Sequence, residues 1–462
     1  MRISLCEPMR VSRLLADALG ASVSGAMPPL ITGLATDSRE VMAGDLFVAL
    51  AGQRQHGAAF VGEAAAKGAV GVIATRGTTV PSGLSLWAVA DPAAALLAAA
   101  HTRRQMSSAR LVAISGSTGK TTAKDGIIAV LSQSGSVAGS QGNYNSSIGL
   151  PLSLLSFAES DFFVVELGIN HVGEMRPMAE AAAADLAVLT NVGSAHIGHF
   201  ADREDLLAEK LQLASGLRPD GTLLLPLELR TAVPKRLSCG VVSMGEGGDI
   251  YMDKIAMNEN GLCGDLVTPD RVITNIRWPI PGRIGLAAVT AIGGACALLG
   301  CDDEVLRRGL LLAGERTPRM RMLRIGGRLV IDDSYNASPE AMAGALEMLR
   351  YRAAGQRETV AVLGDMLELG KMSGKLHFEL GDEVRKNDIS LLVTFGSEAA
   401  AIAAGAVAAG MPQNAVRCFD EKDYASLVKM LLRETSPTAA VLIKGSAGMK
   451  MHRVVQELGR QI

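Results

Sequence analysis

The sequence predicts an α/β protein built from three domains. Its 462 residues are too many for one hydrophobic core, because a domain usually holds roughly 100 to 200 residues. Short apolar runs alternate with helical patterns along most of the chain, which is the order expected of parallel strands covered by helices. Apolar residues make up 48% of the chain and charged residues 20%, a balance typical of folded globular proteins.

The charge and the cysteines narrow the possible partners and location. A net charge of −2 indicates no basic surface for a nucleic acid or an anionic membrane, so small-molecule partners are predicted. The six cysteines lack CxxC spacing, which favours a reducing cytoplasm over a zinc site or a disulfide framework. The chain shows no signal-peptide pattern and no apolar run of the roughly 18 residues that a membrane span needs. We therefore expect a cytoplasmic protein without a membrane span.

Residues 1–90 are predicted to form a first, small domain. The segments LITGLATDS, DLFVAL, VGVIAT and LSLWAVA have the pattern of short strands, and AAFVGEAAAKGA between them has a helical pattern. The next stretch, DPAAALLAAAHTRRQM, predicts a helix capped by Asp91 with Pro92 in its first turn. We expect this helix to lead into the second domain.

Residues 91–314 are predicted to form a central, doubly wound nucleotide-binding domain. The run LVAIS is followed by a glycine-rich loop and then by the helical pattern KTTAKDGIIAVLSQSG. Further apolar runs at FFVVEL, LAVLTNV and TLLLPL alternate with helical segments, as buried parallel strands do.

Residues 315–462 are predicted to form a third domain of strand–helix units. The alternation restarts after Thr317-Pro318-Arg319, with strands expected at GRLVIDDS, TVAVLG, LLVTFG and AVLIKG. Helices are predicted at 339–352 and 373–385, and an alanine-rich helix and a closing helix follow.

The glycine-rich loop is predicted to bind the phosphates of a nucleotide. A loop between a buried strand and a helix directs free backbone N–H groups and the positive end of the helix dipole at an anion. Lys120 is expected to neutralise the β and γ phosphates, and the Thr121 hydroxyl to take a place on Mg2+. Because Ile114 stands where GxxxxGK[ST] requires glycine, the spacing is the shorter GxxGKTT. The predicted cofactor-binding residues of the loop are Gly116, Ser117, Thr118, Gly119, Lys120, Thr121 and Thr122.

Polar residues near strand ends suggest cation ligands beside this loop. Glu166 ends the run FFVVE and His196 follows LAVLTNV, so both are expected at the carboxyl edge of the sheet, where ligands bind. A solvated strand end and a surface histidine are the alternatives. Asn143 and Asn145 lie in the glycine-flanked segment GNYNSSIGLP, where asparagine is often only a turn former; Asn143 is kept as a candidate nucleotide ligand. Lys210 ends the pattern REDLLAEK, where a lysine ordinarily forms a solvated ion pair.

A phosphate loop by itself does not separate kinases, switch GTPases, transporter ATPases and ligases. The order of the motifs, however, resembles the Mur ligase family of peptidoglycan synthesis. The similar segments run from about Asp37 to Val455 and are TDSREVMAGDLFVALAG, SGSTGKTT, GNYNSSIGLP, ELGINHVGEM, TNVGSAHIGHF, IDDSYNASPEAM, AVLGDMLELG and LIKGSAGMKM. DDSYNASP together with GDMLELG is most similar to the members that add D-alanyl-D-alanine.

The resemblance implies an ATP-dependent carbon–nitrogen ligase. Its substrates would be UDP-N-acetylmuramoyl-tripeptide (UDP-MurNAc-tripeptide) and D-Ala-D-Ala, joined through an acyl phosphate to give the pentapeptide precursor of peptidoglycan. It also implies a UDP-sugar-binding first domain, a central ATPase domain and a Rossmann-like third domain. No nucleic-acid partner is expected, and we expect a monomer.

The resemblance assigns roles to individual residues. Catalytic roles fall to Lys120, Glu166, His196 and Lys210. Lys210 stands fifteen residues after Ala195 of the AH motif, where the family carries a carbamoylated lysine, and would help to hold a second Mg2+. The implied metal ligands are Thr121, Glu166, His196 and Lys210; the uridine-side residues are Ser38 and Arg39; and the third-domain residues of the ATP site are Arg319, Asp333, Tyr335 and Asn336.

The chain departs from the family pattern mainly near nucleotide recognition. The family's GxHNxxN is replaced by GRIGLAA at 282–288, so how adenine is recognised stays open. The family's GR appears as Pro318-Arg319, its KGEI as KLQL after Lys210, and its DGH as His56-Gly57-Ala58. Two alternatives remain: another carboxylate–amine ligase of the Mur or folylpolyglutamate type, or a nucleotide-binding regulatory protein without ligase activity. The sequence also does not say whether the tripeptide ends in lysine or diaminopimelate.

Overall fold

The computed structural model describes residues 1–28, 30–52, 55–235, 237, 239–317, 319–355 and 357–461.

The first sheet occupies the N-terminal part of the chain. Strands β3 to β6 run parallel, while β1 and β2 pair antiparallel with β3 and β6, in the order β1-β3-β4-β5-β6-β2. The elements are β1 (Arg2–Ser4), α1 (Pro8–Ala18), β2 (Ser22–Ser24), β3 (Gly33–Ala35), β4 (Asp45–Val48), α2 (Val61–Ala66), β5 (Gly71–Thr75) and β6 (Ser85–Val89). The sequence pattern predicted β3 to β6 and α2, but not β1, α1 or β2.

The central sheet is parallel throughout, with the order β12-β11-β10-β7-β9-β8. Strands β7, β9, β10 and β11 contain apolar runs because helices cover both faces of the sheet. The elements are α3 (Pro92–Gln105), β7 (Arg110–Ser115), α4 (Lys120–Leu131), β8 (Val137–Gly139), α5 (Gly149–Ser156), β9 (Phe162–Glu166), α6 (Met175–Ala182), β10 (Leu186–Leu189), α7 (Arg203–Leu211), β11 (Thr222–Pro226) and β12 (Gly240–Met244). The doubly wound central domain is therefore confirmed.

A three-stranded antiparallel sheet and two helices follow, and the sequence pattern had not predicted this sheet. They are β13 (Tyr251–Asn258), β14 (Gly261–Val267), β15 (Val272–Trp278), α8 (Gly282–Leu298) and α9 (Asp303–Arg316). Helices α8 and α9 pack on α4, the helix that follows the glycine-rich loop.

The third domain contains a six-stranded sheet of order β16-β17-β21-β18-β19-β20, in which β16 alone pairs antiparallel. The elements are β16 (Arg321–Ile325), β17 (Arg328–Asp333), α10 (Pro339–Ala353), β18 (Thr359–Gly364), α11 (Ser373–Lys386), β19 (Leu391–Phe395), α12 (Ala400–Ala408), β20 (Val416–Phe419), α13 (Tyr424–Glu434), β21 (Ala440–Lys444) and α14 (His452–Arg460). This is the expected Rossmann-like arrangement of strands and helices, and the four predicted strands lie where the pattern put them.

Helix α3 ties the first domain to the central one. The Asp91 carboxylate accepts a hydrogen bond from the Ala93 amide at 2.8 Å, which confirms the predicted cap. The helix packs on α1, α5 and α6. Arg103 and Arg104 near its end are fully buried, and their guanidinium groups pair with Glu159 at 3.3 Å and Asp185 at 2.7 Å.

The apolar cores cross the domain boundaries. One buried cluster joins Leu34 and Trp87 of the first domain to Leu111 and Phe163 of the central sheet. Another joins Ile292 of α8 to Leu346 of α10 in the third domain. Among the described residues, no helix is both long enough and apolar enough to cross a membrane.

Candidate active site

The glycine-rich loop connects the carboxyl end of β7 to the start of α4, as predicted. Gly116 has φ +147° and Gly119, the N-cap of α4, has φ +77°, both conformations that residues with side chains rarely adopt. A Cβ on Gly116 would lie 2.0 Å from Thr190 Oγ1. The loop can therefore present its backbone to a ligand only because glycine stands at these positions.

Thr190 and Asn191, which directly follow β10, hold this loop in place, and the sequence pattern did not identify them. The Thr190 hydroxyl donates to the Thr118 carbonyl oxygen at 2.6 Å. The Asn191 side chain accepts from the Thr118 amide at 3.0 Å and donates to Thr118 Oγ1 at 2.8 Å. The available signal was the polar pair near the end of LAVLTNV, since β10 is hydrogen-bonded to β7.

Lys120 lies at the first position of α4 with its ammonium turned back onto the loop. Its Nζ donates to the Gly116 carbonyl oxygen at 2.7 Å and to that of Ser117 at 3.4 Å. Burial lowers the pKa of Lys120, while the Glu166 carboxylate raises it. A cation held over the loop amides in this way suits a phosphate site.

Glu166 ends β9 and is 3% exposed. Its two oxygens accept hydrogen bonds from different elements: Oε1 from Asn145 Nδ2 at 2.8 Å, and Oε2 from Thr121 Oγ1 at 3.0 Å. Asn145, which looked like a turn former, therefore reaches the site. Among the described residues, no side-chain hydrogen bond links Asn143 to this group. The solvated strand end is excluded for Glu166.

Arg319 of the third domain contacts Thr121, beside Glu166. Its Nη2 donates to Thr121 Oγ1 at 3.3 Å, and its guanidinium carbon lies 3.4 Å from the centre of the Tyr335 ring. Tyr335 is itself exposed. Pro318, which precedes Arg319, lies outside the described residues.

Asp333 and Asn336, the other third-domain candidates, make contacts within their own domain. Asp333 ends β17 and forms a buried ion pair with Lys444 at the end of β21, where the two residues are paired across the sheet. Lys444 Nζ also donates to the Asn336 carbonyl oxygen at 3.0 Å. These contacts fix the loop that carries Tyr335.

His196 lies in the loop after β10 with its backbone in the left-handed conformation, at φ +64°. Its Nδ1 is hydrogen-bonded to Glu368 Oε2 of the third domain. Burial lowers the pKa of His196, and Lys120 and Lys210 lower it further, although Glu368 opposes them.

Lys210, near the end of α7, is 2% exposed, so it is not the solvated ion-pair partner that its local pattern alone indicated. Burial and the nearby charge of Lys120 lower the pKa of Lys210 to about 7, although Glu209 raises it. At neutral pH a large fraction of this amine is uncharged.

The donor set at the loop suits Mg2+. No cluster of three or more His, Cys, Asp or Glu side chains able to hold a metal occurs among the described residues. Mg2+ does not need one, since it commonly takes one or two carboxylates, water and substrate phosphates. The Thr121 hydroxyl and the Glu166 carboxylate, 3.0 Å apart, are hard oxygen donors of this kind.

Ser38 and Arg39 belong to the first domain, after β3. The Ser38 hydroxyl donates to Glu63 Oε2 at 2.7 Å, and Arg39 pairs with Asp37 at 2.6 Å and is largely exposed. Within the described residues, the side chains of these two form no hydrogen bond or ion pair with the loop of the central domain. Ser38 is buried, whereas Arg39 is exposed on the first domain.

Residues 282–288, at the start of α8, form a contact between domains. Arg283 pairs with Glu347 of α10 at 3.2 Å and with Glu383 of α11 at 2.5 Å. Ile284 packs so closely on Gly344 that a Cβ there would lie 2.2 Å from Ile284 Cγ1. These side chains are occupied by contacts with the third domain.

Three family models match the chain in order. "Mur ligase family, catalytic domain" matches residues 30–108, "Mur ligase middle domain" matches 114–295, and "Mur ligase, glutamate ligase domain" matches 318–447.

Curated relatives match over nearly the full length. The chain is 31% identical over 436 residues to the UDP-N-acetylmuramoyl-tripeptide–D-alanyl-D-alanine ligase of Bacillus subtilis (strain 168), with 93% of both chains covered. It is 29% identical over 452 residues to the enzyme of that name from Escherichia coli (strain K12), covering 96% of this chain and 97% of the relative.

Solved structures give the same result. MurF from Acinetobacter baumannii superposes with a TM-score of 0.86 at 28% identity, covering 97% of this chain and 98% of that one. MurF ligase from Thermotoga maritima in complex with ADP superposes with a TM-score of 0.80 at 27% identity, covering 93% and 97%.

Proposed function

This chain belongs to the Mur ligase family, and from that membership we propose that it joins D-Ala-D-Ala to UDP-MurNAc-tripeptide with consumption of ATP. The observation that carries the function is the match to a ligase of this activity over 93% of both chains. Agreement with MurF structures at TM-scores of 0.86 and 0.80 supports it. The product is the UDP-MurNAc-pentapeptide.

The chemistry requires activation of a carboxylate. A carboxylate does not react with an amine at neutral pH because the leaving group would be oxide. Transfer of the γ phosphoryl group of ATP to the terminal carboxylate of the tripeptide gives an acyl phosphate, whose leaving group is phosphate. The amine of D-Ala-D-Ala then attacks the acyl carbon, and the tetrahedral intermediate loses phosphate. No protein side chain needs to act as a covalent nucleophile.

The phosphate loop would stabilise the charge that develops during phosphoryl transfer. Lys120 and the backbone amides of residues 116–122 would bind the β and γ phosphates, and Arg319 would approach from the third domain. The position of the Arg319 guanidinium beside Thr121 supports this role. Closure of the domains around the substrates would also exclude water, which otherwise hydrolyses the acyl phosphate.

Thr121, Glu166, His196 and carbamoylated Lys210 would hold two Mg2+ ions. These ions would neutralise phosphate charge and orient the carboxylate for attack. The 3.0 Å contact between Thr121 and Glu166, and the electrostatic influence of Lys210 on His196, support the assignment.

Burial supports carbamoylation of Lys210. The nucleophile that adds to carbon dioxide is the neutral amine, and a pKa of about 7 leaves much of Lys210 uncharged at neutral pH. Addition forms an N–C bond and releases one proton, giving an anionic carbamate with two oxygen donors. That anion would lie near the Lys120 cation, which stabilises it.

The remaining assignments are proposals of the same kind. Ser38 and Arg39 would contact the uridine nucleotide, and Asn143, Asp333, Tyr335 and Asn336 would belong to the ATP site. Residues 1–90, 91–314 and 315–462 would be the UDP-sugar, ATPase and Rossmann-like domains. A monomer in the cytoplasm remains the prediction.

A direct assay tests the function. The protein is incubated with ATP, Mg2+, UDP-MurNAc-tripeptide and D-Ala-D-Ala, and the product is identified by mass spectrometry. We expect a pentapeptide and one ADP for each peptide bond. ATP hydrolysis without pentapeptide would reject the proposal, and preference for a different amine would favour another carboxylate–amine ligase. Nucleotide binding without turnover across a panel of amines would favour a regulatory protein.

A further inference from the structure

One imidazole ring connects two domains. His196 lies in the central domain after β10, and Glu368 lies in the third domain after β18. Because a carboxylate can only accept a hydrogen bond, the proton of this contact belongs to His196 Nδ1. In the neutral ring, the lone pair that can bind a cation then lies on Nε2.

The backbones on both sides are shaped to make this contact. The Gly198 amide donates to the Glu368 carbonyl oxygen at 3.0 Å. A Cβ on Gly198 would lie 2.7 Å from the Gly370 nitrogen, so the two loops approach at glycine positions. His196 and Glu368 have φ +64° and +65°, a conformation unfavourable for residues with side chains. Such residues persist where their surroundings fix them, and here two of them meet.

We propose that Glu368 is a positioning residue, whose carboxylate fixes the tautomer and orientation of His196 so that Nε2 is the nitrogen available to a cation. The inference rests on the proposed function, in which His196 is a metal ligand. Histidines that bind metals commonly donate their other N–H to a carboxylate or a carbonyl oxygen.

The contact between His196 and Glu368 also depends on how the central and third domains are arranged. Because this carboxylate comes from the third domain, the contact that fixes His196 forms when the third domain lies against the central one. Cation binding and domain closure therefore favour each other, and thermodynamic linkage makes this effect reciprocal.

The test uses a Glu368→Gly variant of the full chain. Glycine removes the carboxylate and also relieves the unfavourable φ, so we expect an unchanged or higher Tm. Mn2+ affinity is measured from the EPR signal of free Mn2+, with β,γ-methylene-ATP present. We expect the Kd to rise by about 10- to 100-fold. In 15N NMR of histidine-labelled protein, the His196 signal, assigned by its loss in His196→Gln, is expected to leave the Nδ1–H tautomer.

Two further variants serve as comparisons. Glu368→Gln keeps a neutral acceptor and is expected to restore part of the Mn2+ affinity. Glu379→Gln makes the same charge change at an exposed position of α11, where the carboxylate lies 3.7 Å from Lys375, and is expected to behave as the wild type.

The outcomes separate this proposal from the function on which it rests. Wild-type Mn2+ affinity and an unchanged His196 tautomer in Glu368→Gly would overturn the positioning role, even if pentapeptide is made. Weakened Mn2+ binding with a shifted tautomer would support it, even if the wild type fails in the ligase assay.

Discussion

The phosphate loop and the start of α8 both lie between the central and third domains, yet they are built differently. At the phosphate loop, Lys120, Thr121 and Glu166 are held by short hydrogen bonds around glycines with positive φ. At the start of α8, Arg283 and Ile284 are occupied by contacts with α10 and α11. The first region holds charged and polar side chains in fixed positions, whereas the second holds the central and third domains together.

The two regions place different requirements on their side chains. Charge at a phosphate has to be matched by particular groups at particular distances. Contact between two helices can be made by many combinations of side chains. We therefore expect substitutions in the two regions to differ sharply in their effect on catalysis.

The largest effect is expected at the phosphate loop. Lys120→Ala should lower kcat for pentapeptide formation by about 10²- to 10³-fold, because a charged donor to the transferred phosphoryl group is lost. Steady-state kinetics with purified protein would measure this. The control is Lys375→Ala, an exposed lysine of α11. A loss below about tenfold would mean that Lys120 is not the principal phosphate cation.

The second-largest effect is expected from loss of the proposed carbamate on Lys210. With 13C-labelled bicarbonate, wild-type protein should give a carbamate NMR signal that grows as the pH rises through about 7, where Lys210 loses its proton. A solvent-exposed lysine would need a pH near the ordinary pKa of 10.5. Lys210→Ala should lack the signal and lose at least about tenfold in activity. Full activity in that variant would contradict the assignment.

The same burial should make folding stability depend on pH. The pKa of Lys210 in the folded protein, about 7, lies below its ordinary value of 10.5, so between these pH values the unfolded chain binds more protons. The contribution of Lys210 to stability should therefore rise with pH across that window. In buffer free of carbon dioxide and bicarbonate, where Lys210 is a free amine rather than a carbamate, the wild type should gain about 2 kcal/mol relative to Lys210→Met between pH 7 and pH 9. Denaturant unfolding at both pH values would show it, and a constant difference would count against the lowered pKa.

The smallest effect is expected at the start of α8. Arg283→Ala breaks two ion pairs of a half-exposed guanidinium, which solvent screens, so the loss of stability should be no more than about 1 kcal/mol. Catalysis with ATP should change less than about threefold. Arg307→Ala, which breaks a surface pair within α9, is the matched control. If Arg283→Ala matched Lys120→Ala in its effect on kcat, the contrast between the two regions would be wrong.

The strands and helices that the sequence predicted are those with strong local signals. Asp91 and Pro92 marked the start of α3, and uninterrupted apolar runs marked β7, β9, β10 and β11. The antiparallel sheet β13–β15 carries mixed polar and apolar positions on partly exposed strands, and its pattern was correspondingly weak. Strands β1 and β2 have three residues each, too few to show a period.

The residues of the candidate site likewise divide into those that the sequence pattern predicted and those that it did not. Lys120, Thr121 and Glu166 could be predicted because each stands at a loop or strand end whose place in a parallel sheet follows from the pattern. Asn191 follows a strand end as well and was missed, whereas Glu368 could not be predicted, because its contact depends on how loops of two domains meet in three dimensions. For Lys210 the local pattern was misleading, because it indicated a surface position while tertiary packing buries the side chain.

The two buried arginines of α3 bear on how this chain could be recombined with its relatives. The matched family regions divide near residue 110, after α3, yet Arg104 is bound to Asp185, which directly precedes β10 of the central sheet. A chimaera joined at that point would take its α3 from one parent and the carboxylates that neutralise it from another. A junction at residue 91 instead keeps α3 with Glu159 and Asp185, but it separates Arg103 from Glu7 of the first domain, so neither junction leaves every counter-charge of this helix in place.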